Sequence, residues 1–192
     1  MDHLRPVELR HACRLINHGP TVLVTSAHGG RRNVMAAAWS MPVEFTPPRV
    51  AVVIDKKTFT RELVAAAGAF ALCVPGAAVV GLTYAVGSES GRDVDKFARH
   101  GIDARPGPVL GMPIIGSGCV AWLECRLIPE RHTEDAYDTC FAEVVAAAAD
   151  ERIFSNGHWS LRDDNVDLHT LHHLGGGNFA RADAVQRPRP AR

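Results

Sequence analysis

The sequence predicts a mainly β protein with short helices, its strands forming a closed or sandwiched sheet. Three observations lead there. Short, valine-rich apolar runs recur along the chain, glycine and polar turn segments separate them, and helical patterning is confined to brief stretches.

TVLVTSA (21–27) reads as a strand, and HGGRRN supplies the glycines and polar residues of a turn before VMAAAWSM. The pair predicts a hairpin. RVAVVID (49–55) is almost continuously apolar, which suits a strand buried on both faces, and AFALCV (69–74) repeats the pattern. Between them a short helix is expected, with Thr60 as N-cap, RELVAAA as body and Gly68 as the stop. A second helix is expected at DVDKFARHG, again closing on glycine. GCVAWLECRLIPERHT (118–133) and TCFAEVVAAAAD (139–150) are two more long strand candidates, the alanine run leaving the second open to a helical reading. No internal repeat is seen, and the Pro/Arg-rich end is expected to be a solvated, disordered tail.

At 192 residues, 46% hydrophobic and 22% charged, the chain is long enough for one good core and short for two. One domain over 1–182 with a tail at 183–192 is expected. Lys plus Arg (21) equals Asp plus Glu (21), so no global field recruits nucleic acid or an anionic membrane. The N-terminus lacks the n- and h-regions of a signal peptide and no apolar run approaches a bilayer span, so a cytoplasmic protein is expected. Five cysteines, Cys13, Cys73, Cys119, Cys125 and Cys140, are odd in number and lack CxxC spacing, which predicts reduced, buried thiols.

Three stretches carry candidate chemistry. A strand of Ala36, Ala37 and Ala38 has little side chain with which to fill a core; either a flat ligand approaches its backbone or neighbouring aromatics fill the gap. In DKKTFTRE (55–62), Lys56, Lys57, Thr58, Thr60 and Arg61 gather cations and hydroxyls around a helix N-terminus, which favours an anion such as phosphate; a solvated, threonine-capped turn is the other reading. SESGRDVDKF (88–97) repeats the theme, with Arg92 and Lys96 at one-face helical spacing, or else paired internally through Asp93 and Asp95. HTLHH places His169, His172 and His173 at one-turn spacing, but no cysteine or acidic partner completes a familiar pattern and no metal is expected.

Taken in order, NVMAAAW, EFTPPRV, KKTFT, SGRDVDKF, WLECRL and LHHLGGGNF resemble the flavin reductase-like, FMN-binding split-barrel family, and within it the flavoredoxin-like branch. The resemblance implies a six-stranded split β-barrel and a homodimer with FMN at the subunit interface. It implies an NAD(P)H-dependent flavin reductase that passes electrons from NADH or NADPH to free flavin, an electron-accepting partner protein or ferric iron. The alternative is an FMN-bound electron carrier without a nicotinamide site of its own. Residue by residue, it puts the backbone of Met35, Ala36, Ala37, Ala38 and Trp39, opened by Asn33, against the isoalloxazine ring. Thr58 and Thr60, with Lys57, are expected to hold the FMN phosphate, and Ser90, Gly91 and Arg92 with Lys96 to flank the ribityl phosphate arm. His172, His173, Gly175 and Phe179 match the C-terminal segment near the flavin or the dimer interface, His173 being the candidate proton donor. One departure is visible: where relatives read NIMTMSW, this chain has alanine at 36 and 38, so two hydroxyls are absent from the ring's edge.

Overall fold

The computed structural model describes residues 1–116 and 118–186. In chain order the elements are β1 (Leu4–Pro6), α1 (Leu9–Ala12), β2 (Val22–His28), β3 (Arg31–Ala37), β4 (Ser40–Phe45), β5 (Pro48–Val53), α2 (Phe59–Ala67) and β6 (Ala69–Pro75). There follow α3 (Val80–Ser88), α4 (Lys96–Arg99), β7 (Ala104–Pro106), β8 (Pro113–Ile115), β9 (Cys119–Ile128), α5 (Arg131–Tyr137) and β10 (Thr139–Asp150). Three short hairpin pairs complete the set: β7 with β8, β11 (Phe154–Ser155) with β12 (His158–Trp159), and β13 (Leu171–Gly175) with β14 (Asn178–Arg181).

The principal sheet is antiparallel in the order β3-β2-β6-β9-β10-β5-β4, with β1 added on β10. The mainly β expectation holds, with eight strands in this sheet where six were expected. Its edge strands, β3 and β4, are consecutive and joined only by Ala38 and Trp39. Three Cα steps reach at most about 11 Å, so the sheet curls until its two edges meet. Among the described residues no ladder joins β3 to β4, and the barrel is split along that seam.

Alternation along the strands explains the core. Val22, Val24, Ala37, Val52, Phe70, Leu72, Leu123 and Val144 point into the barrel, while Leu23, Val34, Cys73, Val86, Phe97 and Ile115 pack a second cluster on the outer face. A sheet covered on both sides accounts for the continuous burial of β6. All five cysteines are free and buried, as expected. The β2–β3 hairpin turns on Gly29 (φ 57°) and Gly30 (φ 78°), where left-handed backbone at both central positions matches the strand twist.

Three local readings are corrected and one ambiguity is resolved in favour of the strand expected. VMAAAWSM is two strands, because β3 stops at Ala37 and the chain crosses the seam before β4 begins at Ser40. The N-cap of α2 is Thr58, since its hydroxyl reaches Arg61 N–H while Thr60 turns inward; Gly68 does close the helix, at φ 64°. The second helix is a single turn, α4, capped by Asp95. The alanine run of 146–149 is strand, because pairing to β9 and β1 overrides alanine's helical preference. Helix α3 was not foreseen. Of the tail expected at 183–192, residues 187–192 lie outside the described residues. None of the described helices is long and apolar enough to cross a membrane.

Candidate functional site

The first turn of α2 builds one end of a cleft that runs along β3. Thr58 is extended (φ −79°, ψ 149°); its hydroxyl accepts from Arg61 N–H at 3.2 Å and donates to the Asp55 carbonyl at 2.8 Å. Thr60 is fully buried and accepts from the Asn33 side-chain amide at 2.9 Å, tying α2 to β3. Opposite lies the Ser90–Arg92 turn. Ser90 Oγ accepts from Arg92 N–H at 3.2 Å, and the Arg92 guanidinium donates to the Lys57 carbonyl at 2.8 Å and pairs with Glu62. Gly91 lies so close to the Asn33 amide that any Cβ there would collide with it, which is why glycine is required.

Lys96 is 2% exposed, and its ammonium donates to the Val34 carbonyl at 2.9 Å and the Val86 carbonyl at 2.6 Å. Burial pushes its pKa below the ordinary lysine value, with Glu89 opposing that shift. Its spacing to Arg92 does not make a helical pair, since Arg92 precedes α4. Together these groups line a cavity of about 270 Å³ that also reaches Met35 and Ala36.

Further along β3 the walls change character. Ala36, Ala37, Ala38, Thr83, Tyr84, Gly87, His173 and Phe179 line a cavity of about 170 Å³, which shares Ala36, Gly87 and Ser88 with the first. A Cβ on Gly87 would stand 3.2 Å from that of Ala36, so α3 closes on the strand with almost nothing between. β3 is an edge, and the Val34 carbonyl points away from β2 toward Lys96. Ala36 has the same phase, so its N–H and C=O also face the open edge, into the cleft. Ala36 and Ala37 fall on opposite faces, Ala37 belonging to the barrel core. The site therefore presents an anion-receptive polar end and a flat, small-walled slot with a free backbone edge.

His173 is exposed at the mouth of that slot. Its N–H donates to Thr21 Oγ1 at 3.0 Å and its ring lies 5.1 Å from that of Phe179. Behind this hairpin, His18 bonds Thr170 Oγ1 at 2.8 Å and meets Trp159 and His172 edge-on; burial, then His172, lowers its pKa to about 4.

Asn33, Met35, Ala36, Lys57, Thr58, Thr60, Ser90, Gly91, Arg92 and Lys96 thus converge on one cavity, and Ala36, Ala37, Ala38 and His173 on the other. Trp39 stands apart, 75% exposed, with its carbonyl accepting from Val53 N–H. His169 is buried against Ala182 and Asn165, and His172 and His173 sit on a strand, so the HTLHH spacing is not helical. Among the described residues no three metal-binding side chains converge. Sequence reasoning missed Thr83, Tyr84 and Gly87. VVGLTYAVGS carries no apolar stripe that would have signalled a helix, although its glycine is where close approach occurs.

Residues 14–166 match the family described as flavin reductase like domain. The chain is 56% identical over 181 residues to the protein YddH of Escherichia coli K12, covering 93% of this chain and 95% of that one. Its structure superposes on the FMN-binding domain of a flavin reductases-like enzyme from Shewanella baltica at a TM-score of 0.91 and 41% identity, covering 97% of each chain. Flavoredoxin of Desulfovibrio vulgaris aligns at a TM-score of 0.74 and 26% identity, over 90% of this chain and 91% of that chain. With the split barrel, the β3 cleft and these likenesses in agreement, the chain belongs to the flavin reductase-like family.

Proposed function

We propose that this protein is an FMN-dependent oxidoreductase that takes hydride from NADH or NADPH and delivers electrons to free flavin, ferric iron or a partner protein. The observation that carries the reading is the continuity of the two cavities along the free edge of β3: polar groups at one end, a flat slot at the other. The residues fit a flavin mononucleotide. Lys57, whose ammonium has no partner among the described residues, would hold the phosphate with Thr58 and Arg92, and Ala36 N–H and C=O would bond the ring's edge. When bound, FMN supplies the hydride-accepting centre.

The protein's own contribution is placement. Ala36 and Gly87 set how closely the ring lies against the strand, and Tyr84 and Phe179 wall the mouth of the slot. His173, exposed beside Phe179, delivers or withdraws a proton there. The chain works as a homodimer: Trp39, Met41 and Phe45, exposed by 75%, 59% and 61%, make an apolar edge that a second copy covers.

Purified protein should be yellow and release FMN on denaturation, and NADH or NADPH should bleach the bound flavin under anaerobic conditions. Bleaching by dithionite alone assigns an electron carrier instead. Failure to bind FMN overturns both readings, and a monomer in light scattering at micromolar concentration overturns the dimer.

A further inference from the structure

Beyond the polar end of the β3 cleft lies a third space of about 690 Å³, bounded by the β2–β3 turn, the start of α2 and the loop before α4. It shares Phe59, Gly91 and Arg92 with the arm cavity, so the two are contiguous. Three arginines line it: Arg92 is engaged by the Lys57 carbonyl and Glu62, while Arg31 and Arg32 leave the open edge of β3 on opposite faces and both border the space. The Arg31 guanidinium lies 4.1 Å over the Phe59 ring, and that of Arg32 lies 4.3 Å over the Phe97 ring. Stacking fixes each guanidinium yet leaves its in-plane N–H donors free. Among the described residues neither forms an ion pair or a side-chain hydrogen bond. Of the acids on the rim, Asp95 is committed to the α4 cap and Asp93 remains, suited to accept from sugar hydroxyls.

We infer that this cleft receives the phosphorylated adenosine half of NADPH, with its 2′-phosphate on Arg31 and Arg32. The inference rests on the reductase reading above and names its coenzyme. β3 is the ruler: Arg32 and Ala37 are five residues apart, about 17 Å along the strand, a span for a dinucleotide rather than a mononucleotide. Two oriented guanidiniums match a dianionic phosphomonoester by fork-like bonding. FAD also carries adenosine, but its second phosphate is a monoanion bound by an anhydride link to the first, which makes poorer use of two free cations.

Adenosine 2′,5′-bisphosphate titrated calorimetrically into the FMN-loaded protein tests the site without catalysis. It should bind, with 5′-AMP weaker by about tenfold or more, and the Arg31→Gln/Arg32→Gln variant should lose about tenfold while keeping its FMN content and melting temperature. In steady state that variant should shift the NADPH-to-NADH KM ratio about tenfold toward NADH. Equal affinity of the unaltered protein for the two nucleotides overturns the inference, and that comparison does not depend on how the variant folds. A variant that loses FAD affinity relative to FMN with unchanged bisphosphate binding also overturns it, assigning the cleft to a flavin adenylate. Selective bisphosphate binding without coenzyme oxidation leaves the cleft standing and removes the reductase reading; oxidation without selective binding does the reverse.

Discussion

The two ends of the β3 cleft are built on opposite plans. At the polar end almost every side chain is held by another: Asn33 by Thr60, Thr58 by Arg61 N–H, Arg92 by Lys57 and Glu62, Lys96 by two carbonyls. At the slot the walls are alanine and glycine, and the shape comes from atoms that are absent. Folding itself completes the polar end, whereas the slot is left for a ligand to complete. Removing a group should therefore cost stability at the first end, and adding atoms should cost ligand at the second.

The largest effect is expected at Lys96. Lys96→Met keeps the stem's volume but leaves the buried Val34 and Val86 carbonyls without a donor, a loss of about 4 kcal/mol at 1–3 for each orphaned group. Because those carbonyls belong to β3 and α3, the wall of the slot should loosen as well, and bound flavin should fall with stability. Urea denaturation measures the first and absorbance the second. A drop under about 1 kcal/mol would show that water or a neighbour takes over the bonds, and the polar end would then be less interdependent than its contacts suggest.

That interdependence also marks where sequence reading stops. TVLVTSA, RVAVVID, AFALCV and TCFAEVVAAAAD announced β2, β5, β6 and β10 because alternation or continuous apolarity is local. The hydroxyls and cations of DKKTFTRE were equally visible, yet which threonine capped the helix depended on Asn33 arriving from another strand. Arg92 and Lys96 looked like a helical pair because spacing alone does not reveal that α4 starts only at Lys96. Arg31 and Arg32 read simply as turn residues; only the fold brings Phe59 and Phe97 beneath them. The Asn156–Gly157 turn of β11–β12, with φ 50° and 74°, was a local signal and was overlooked.

Acid should sharpen the comparison by acting behind the slot. His18, beneath the β13–β14 hairpin that carries His173, has its pKa lowered from 6.5 to about 4, so the native state resists a proton that the unfolded chain accepts. Stability attributable to it is full above pH 6.5, declines as pH falls toward 4 and levels off below. His18→Gln should flatten this part of the pH profile, measured as the wild-type-minus-variant difference in urea midpoint between pH 7 and pH 4.5. A difference independent of pH would mean that His18 titrates alike in both states.

The smallest change in energy, and the sharpest contrast in kind, is expected within the alanine run. Ala37 belongs to the barrel core although it also borders the slot, whereas Ala38 leaves the strand at the seam and lines only the slot. Ala37→Leu should overpack the interior and lower stability by about 2 kcal/mol, taking flavin with it only as the fold weakens. Ala38→Leu should leave the melting of flavin-free protein almost unchanged and still expel FMN, because its added methylenes enter ligand volume. The measurements are a thermal melt of each flavin-free variant and a fluorescence titration with FMN. Two variants that lose stability alike would make the slot an extension of the core, with its alanines small because their neighbours are large. If Ala38→Leu binds FMN as tightly as the parent, the ring does not lie against this end of β3, and the free N–H and C=O of Ala36 face something other than a flavin.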